Sequence, residues 1–341
     1  MELKVFKCVF QPRTMKSKQV IFWISLSSVI SFVLFLPNML QDNSKITSTR
    51  TTGCLEPPAT IKSSTYYTNY SFIHINGNWS AATVNDWCSG YGNSTHPYII
   101  ENMTINTEDS AIGAGIRIEN STNIHWKLQN IFIDCNATCA GIEILDARGG
   151  SFELINCTVI NASDFQSTGI YGFSISNSSN GFISQSNSSG NILNLGLYVF
   201  ENSSNIEISD SNFNGNLVAM VIEQSNDVII HHNNLTMNPS GGLFAYQSTG
   251  LNIHNNSVCN NSFSGIWVNT NSSNCNITHN LIMDNVNDGI AINQSSYSMR
   301  IFQNEISNNG RYGIHIFENS SQIRLTVHKF VYLNNRLFRN A

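Results

Sequence analysis

Charge is scarce in this chain of 341 residues: Lys and Arg number 17, Asp and Glu 22, and together they make up 11% of it, for a net charge of −5. Binding to nucleic acid needs basic patches that neutralise phosphates, so this composition argues against it. Asp is sparse and scattered, which leaves no cluster suited to Ca²⁺. Cys135-x-x-x-Cys139 lacks a second ligand pair at zinc spacing, so a disulfide or two buried thiols are expected there and no metal or cofactor. Solubility falls to Asn and Ser instead.

What is present is a Gly-Ile-x-Ile phrase that returns every 23 to 28 residues: GIRI at Gly115, GIEI at Gly141, GLYV at Gly196, GIWV at Gly265, GIAI at Gly289 and GIHI at Gly313. Looser copies start at Gly169 or Gly172, at Ala219 and at Gly242. A second phrase, apolar-x-x-Asn-x-apolar, keeps step around Asn233, Asn256, Asn280 and Asn304. Met103, Ile131, Cys157, Ser186 and Ser211 fill the Asn slot earlier in the chain, and His328 fills it later. A fixed period of this length means stacked supersecondary units.

Apolar residues alternate within a unit, as at Ile116/Ile118, Ile206/Ile208 and Val228/Ile230. Period two marks a strand with one buried face. Three such runs per unit, separated by Asn, Ser and Gly that tolerate turns and left-handed backbone, predict an all-β parallel β-helix of nine to ten coils. Leucine-rich repeats are excluded because no unit carries a helical stripe. The slot asparagines should stack at one turn with buried amides, each bonded to its copies above and below. The chain stops at Ala341 without another Gly-Ile-x-Ile phrase, so the last coil should be incomplete and frayed past about residue 333.

The N-terminal part sets the compartment. Residues 1–18 form a basic tail, and residues 19–37 an apolar stretch that reads as a transmembrane anchor or a signal segment. The positive residues before it place the tail inside the cell and the remainder outside, membrane-anchored or secreted after cleavage. Residues 38–68 read as a Ser/Thr-rich linker, residues 69–97 as a cap over the open end of the solenoid, and 98–341 as the β-helix itself. Outside the cell, several of the roughly eighteen Asn-x-Ser/Thr sequons become acceptors for glycans on outward turns, Asn156 and Asn276 less so because they flank inward positions.

Over residues 98–333 the chain resembles the right-handed parallel β-helix repeat proteins, the group that includes NosD-like and carbohydrate-binding and sugar-hydrolase β-helices. A more specific likeness lies in Trp87-Cys88-Ser89-Gly90-Tyr91-Gly92 followed by His96-Pro97-Tyr98-Ile99-Ile100-Glu101-Asn102. It is similar to the lead-in of secreted archaeal β-helix proteins, with His96 where that pattern has Asp. The resemblance implies a right-handed coil and says little about activity, because the fold hosts many functions.

On the strand after each Gly, the outward column reads Arg117, Glu143, Tyr171 or Ser174, Tyr198, Val221, Phe244, Trp267, Ala291 and His315. Tyr198, Phe244 and Trp267 are the candidate carbohydrate-binding residues, since sugar rings stack on flat aromatic faces; the same rings also suit a strand surface packed under loops. No catalytic residue is singled out. Glu119, Glu143, Glu201, Glu223 and Glu318 do not pair in neighbouring coils, and Arg117 beside Glu143 reads as an ion pair. The phrases of pectinase-type β-helix hydrolases are absent. His231 and His254 share one outward column, with His232 and His279 beside it; lacking a carboxylate or thiol to complete a shell, they read as solvated histidines. The function expected is structural or binding, on glycans or a cell-envelope polymer. A polysaccharide-processing enzyme (lyase, hydrolase or epimerase) with its site on the first-strand face is the alternative, and a NosD-like metal-site accessory role the second.

Overall fold

Alternating side chains and Asn-rich corners leave this chain one economical arrangement, a coil in which each strand pairs with its own copy one turn on. The computed structural model describes residues 67–136, 139–162, 171–317, 319–326, 329–331 and 337–339. Their strands form sheets of 14, 11 and 4 members, paired in parallel except where Cys88–Ser89 meets Tyr98–Asn106. The result is a parallel β-solenoid of about nine turns. The expected tail, the anchor or signal segment at 19–37 and the linker up to residue 66 lie outside the described residues. Among those described, no helix is long and apolar enough to cross a membrane; the helices are the short Trp79–Ala82 and a 3-10 turn at Thr107–Asp109.

The 11-stranded sheet holds the strands that follow the repeat glycines. Its inward ladder runs Ile116, Ile142, Phe173, Leu197, Met220, Leu243, Ile266, Ile290, Ile314 in register, every one of them fully buried. Full burial of side chains this size contributes about 1.5–3 kcal/mol each. The 14-stranded sheet holds the strands that precede the Asn slot, and the four-stranded sheet the later strands that follow it.

The slot asparagines behave as the repeat predicts. Asn233, Asn256, Asn280 and Asn304 are at most 2% exposed. The Nδ2 of each of the first three donates to the next Oδ1 at 3.0–3.1 Å, and that Oδ1 also accepts the backbone N–H of the residue one turn back. Ser186 and Ser211 continue the ladder through their hydroxyls, which accept from Cys157 N and Ser186 N. A second ladder, Asn191, Asn216, Asn238, Asn261, Asn285 and Asn309, stands five residues further along each turn. It also explains the repeat glycines. A Cβ at Gly265 would sit 2.8 Å from Gly289 O and 2.9 Å from Asn285 Nδ2, and at Gly289 the same clash recurs with Gly313 O and Asn309 Nδ2.

One alternative left open by the sequence is decided, and two details differ from its reading. Phe173 pairs with Ile142, so Gly172 rather than Gly169 opens its turn, and Ser174 rather than Tyr171 joins the outward column. Strands Tyr67–Tyr70 and Ile73–Asn76 already pair with Tyr98–Asn106 and Ala114–Glu119, so sheet pairing begins before residue 98. At the other end Leu337–Arg339 pairs with Ile314–Ile316, where fraying was expected. Backbone groups make that pairing, so it does not require the Gly-Ile-x-Ile phrase.

Candidate functional site

The predicted outward column exists in register, from Arg117 through Glu143, Ser174, Tyr198, Val221, Phe244, Trp267 and Ala291 to His315. Its aromatic members do not form the exposed stripe expected of them: Tyr198 is 3% and Phe244 1% exposed, and only Trp267 is half-buried. The rings cover one another. Tyr198 meets Tyr171 edge-on at 5.0 Å and stacks on Phe200 at 4.2 Å. Phe244 meets Trp267 edge-on at 5.4 Å, and Trp267 leans on Phe263 at the same separation. Buried among these neighbours, Tyr198 and Phe244 present no open face to a sugar.

Acids are enclosed in the same layer. Glu223, 3% exposed, accepts a short hydrogen bond from the Tyr198 hydroxyl. Burial, and then the Glu223 charge, hold the hydroxyls of Tyr171 and Tyr246 well above the ordinary tyrosine range. Arg117 and Glu143 form the expected ion pair at 2.6 Å. Burial raises the Glu143 carboxyl against the opposing pull of Arg117. Further along, Asp288 Oδ2 meets His315 Nδ1 at 3.0 Å, with Arg311 at 3.9 Å.

The open face lies on the other large sheet. A groove of about 460 Å³ is lined by Glu153, Phe182, Glu207, Asp227, Ile229 and Asn252 among others. Its floor is the outward column of the 14-stranded sheet, which reads Lys127, Glu153, Phe182, Glu207, Ile229, Asn252, Asn276, Arg300, Arg324 in register. Sequence reading missed this set because it followed the column after the glycines. Reading four residues before each Asn slot brings Glu153, Phe182 and Glu207 together. Lys127 Nζ lies 3.4 Å from Glu153, and His231 Nε2 lies 3.0 Å from Glu207.

His231 pairs with His254 in register, as the repeat predicts, with rings stacked at 5.0 Å. His232 and His279 occupy left-handed corner positions. Among the described residues no group of three or more His, Cys, Asp or Glu is placed to hold a metal ion. The Cys135 and Cys139 side chains remain thiols; their mutual hydrogen bond, then burial, holds Cys135 well above the usual thiol range. Burial alone pushes Cys88 to about 11.

Comparison with known proteins gives the same architecture. The sequence family described as "Right handed beta helix region" matches residues 171–330. No curated protein matches the chain. Among solved structures, a double mutant of the periplasmic alginate epimerase AlgG superposes with a TM-score of 0.54 at 19% identity, over 68% of this chain and 62% of that one. The A-modules of the Azotobacter vinelandii mannuronan C-5 epimerases AlgE4 and AlgE6 give TM-scores of 0.53 and 0.52 at 12% and 14% identity. They cover 73% and 71% of this chain and 86% and 80% of their own. At such identities the likeness is one of fold, and this chain spans less than two thirds of the AlgG length. Strand order and the family match over residues 171–330 agree on one architecture, a right-handed parallel β-helix.

Proposed function

We propose that the chain processes polysaccharide, cleaving glycosidic bonds along the open groove of the 14-stranded sheet. The observation that carries this reading is one outward column with Glu153, Phe182 and Glu207 on consecutive rungs. An aromatic ring on a groove floor offers a sugar a flat apolar seat. The two carboxylates that flank it stand two rungs apart, about 9.5 Å between their Cα atoms. Carboxyl groups about 6.5–9.5 Å apart leave room for a water beside the scissile bond. Glu207, in contact with an imidazole that can return a proton, is assigned as the acid that protonates the glycosidic oxygen. Glu153, beside the Lys127 ammonium, is assigned as the base that takes the proton of the attacking water.

The solved structures named as alginate and mannuronan epimerases add support from a distance, since this fold in their case carries polysaccharide chemistry. The test is release of new reducing ends from a panel of neutral and acidic polysaccharides by the full chain. Glu153→Gln and Glu207→Gln should each lower the rate at least about 100-fold while oligosaccharide binding persists. Product of unchanged length from every polymer would discard cleavage and leave epimerisation or the glycan recognition first expected from the sequence.

A further inference from the structure

The column that carries Glu153 and Glu207 ends in two arginines. Arg300 and Arg324 are directly paired on adjacent rungs, and both are exposed. Like charges directly opposite one another across parallel strands are unfavourable unless something neutralises them. Elsewhere on the solenoid, three cations sit beside carboxylates, Lys127 with Glu153, Arg117 with Glu143 and Arg311 with Asp288, and Arg148 donates to Asn177 and Asn202 oxygens. Among the described residues no carboxylate lies within ion-pair distance of Arg300 or Arg324; the one recorded contact of either guanidinium is that of Arg300 with the Phe302 ring at 5.7 Å.

The pair also lines a concavity. A groove of about 470 Å³ is bounded by Arg300 and Arg324 and by the corner residues Asn274, Ser298 and Gln322. These three corners adopt left-handed backbone and stack on successive turns. The Ser298 hydroxyl donates to Gln322 Oε1 at 2.8 Å, which leaves the Gln322 amide nitrogen as a donor at the rim. Two guanidiniums and amide donors around one concavity form a site for a planar or tetrahedral oxyanion, because guanidinium binds such groups through paired hydrogen bonds. Asp227 and Gly250, corners of the same row, border the acidic groove. Both grooves therefore lie between the same column and the same row of corners. Four rungs, about 19 Å, separate Glu207 from Arg300.

We propose that Arg300 and Arg324 form a subsite for the carboxylate or sulfate groups of an acidic polysaccharide that runs along the solenoid axis over this face. The subsite extends the polysaccharide reading of the groove and names its substrate class. A linear polymer crossing successive rungs meets the arginine pair at one end and the Glu153–Phe182–Glu207 column at the other.

Calorimetric titration of the full chain at low salt, with oligouronate, sulfated and neutral oligosaccharides of equal length, tests the proposal. At least one acidic series should bind about tenfold or more tighter than the neutral one, and the margin should shrink as salt is added. Preference for oligouronate or for the sulfated series identifies which acidic group is recognised. The Arg300→Gln/Arg324→Gln double variant should lose that margin and keep its affinity for the neutral oligosaccharide, with an unchanged far-ultraviolet strand spectrum. Arg300→Lys/Arg324→Lys should keep part of the margin. Equal binding of acidic and neutral sugars, or a double variant with the margin intact, overturns the proposal. So does inorganic sulfate or single-stranded DNA bound as tightly as the acidic oligosaccharide. Tight acidic binding without any product would sink the cleavage reading and leave the subsite standing.

Discussion

At the scale of single residues, the histidines beside the groove give the chain a measurable acid response. His254 is held below its ordinary value, first by burial and then by the charges of His231, His232 and His279, with Glu207 opposing. A histidine whose folded value is depressed contributes stability above its unfolded value of about 6.5, and that contribution is lost as pH falls through the lower folded value. His254→Thr places on this rung the residue that the next rung already carries, Thr278. The variant should therefore lose less thermal stability than the parent between about pH 7 and about pH 5. Thermal denaturation at several pH values measures this; parallel curves for both proteins would show that His254 does not carry the response. The residue scale is also where sequence reading failed most clearly. Tyr198 and Phe244 sit in the column predicted for them, yet nothing in the repeat reveals that Tyr171, Phe200 and Tyr246 lean over them. Pattern gives the direction of a side chain and not what covers it. Glu153 and Glu207 were legible in principle, because they keep a constant offset from the Asn slot.

Among the repeating elements, stability resides in ladders that each turn extends by one rung. Asn280 shows what one rung holds. Its Nδ2 donates to Ile253 O at 2.9 Å and to Asn304 Oδ1 at 3.0 Å, and its Oδ1 accepts from Asn256 N at 2.9 Å and from Asn256 Nδ2 at 3.0 Å. Asn280→Ala leaves the buried Asn256 N–H unmatched and should cost about 2–3 kcal/mol, since a buried donor stripped of its partner costs about 1–3 kcal/mol by itself. Asn280→Ser should be milder, because Ser211 already serves this slot by accepting the Ser186 N–H through its hydroxyl at 3.0 Å. Denaturant titration ranks the two, and a serine variant as unstable as the alanine one would show that the side-chain amide, not the acceptor alone, is required. This ladder was legible because Asn recurs visibly at a fixed offset. The second ladder, through Asn261 and Asn285, has the same chemistry and the same period, and it was equally legible: Val258 and Ile282 stand three residues before its asparagines, Ile266 and Ile290 five after.

For the described solenoid as a whole, strands pair only with the turns before and after them, so its stability should behave as a sum of turn and interface contributions. Gly265 offers a local way to test that property. A side chain there meets the Gly289 carbonyl, the Asn285 amide and Ile282, all within 2.9 Å of the first added carbon. Gly265→Val must therefore push apart two adjacent turns and strain both the glycine strand and the second asparagine ladder. Overpacking of a filled interior typically costs about 1–3 kcal/mol. In a molecule without long-range closure, that cost should appear where it is imposed. Hydrogen exchange should accelerate in Leu243–Tyr246, Ile266–Asn269 and Ile290–Ile292, which are hydrogen-bonded to one another across the altered rung. Ala114–Glu119 and Ala140–Leu145 are bonded to each other several turns away and should keep the protection of the parent. An equal loss of protection in all five strands would mean that the solenoid opens as one cooperative body, and that its stability is not divisible by turn.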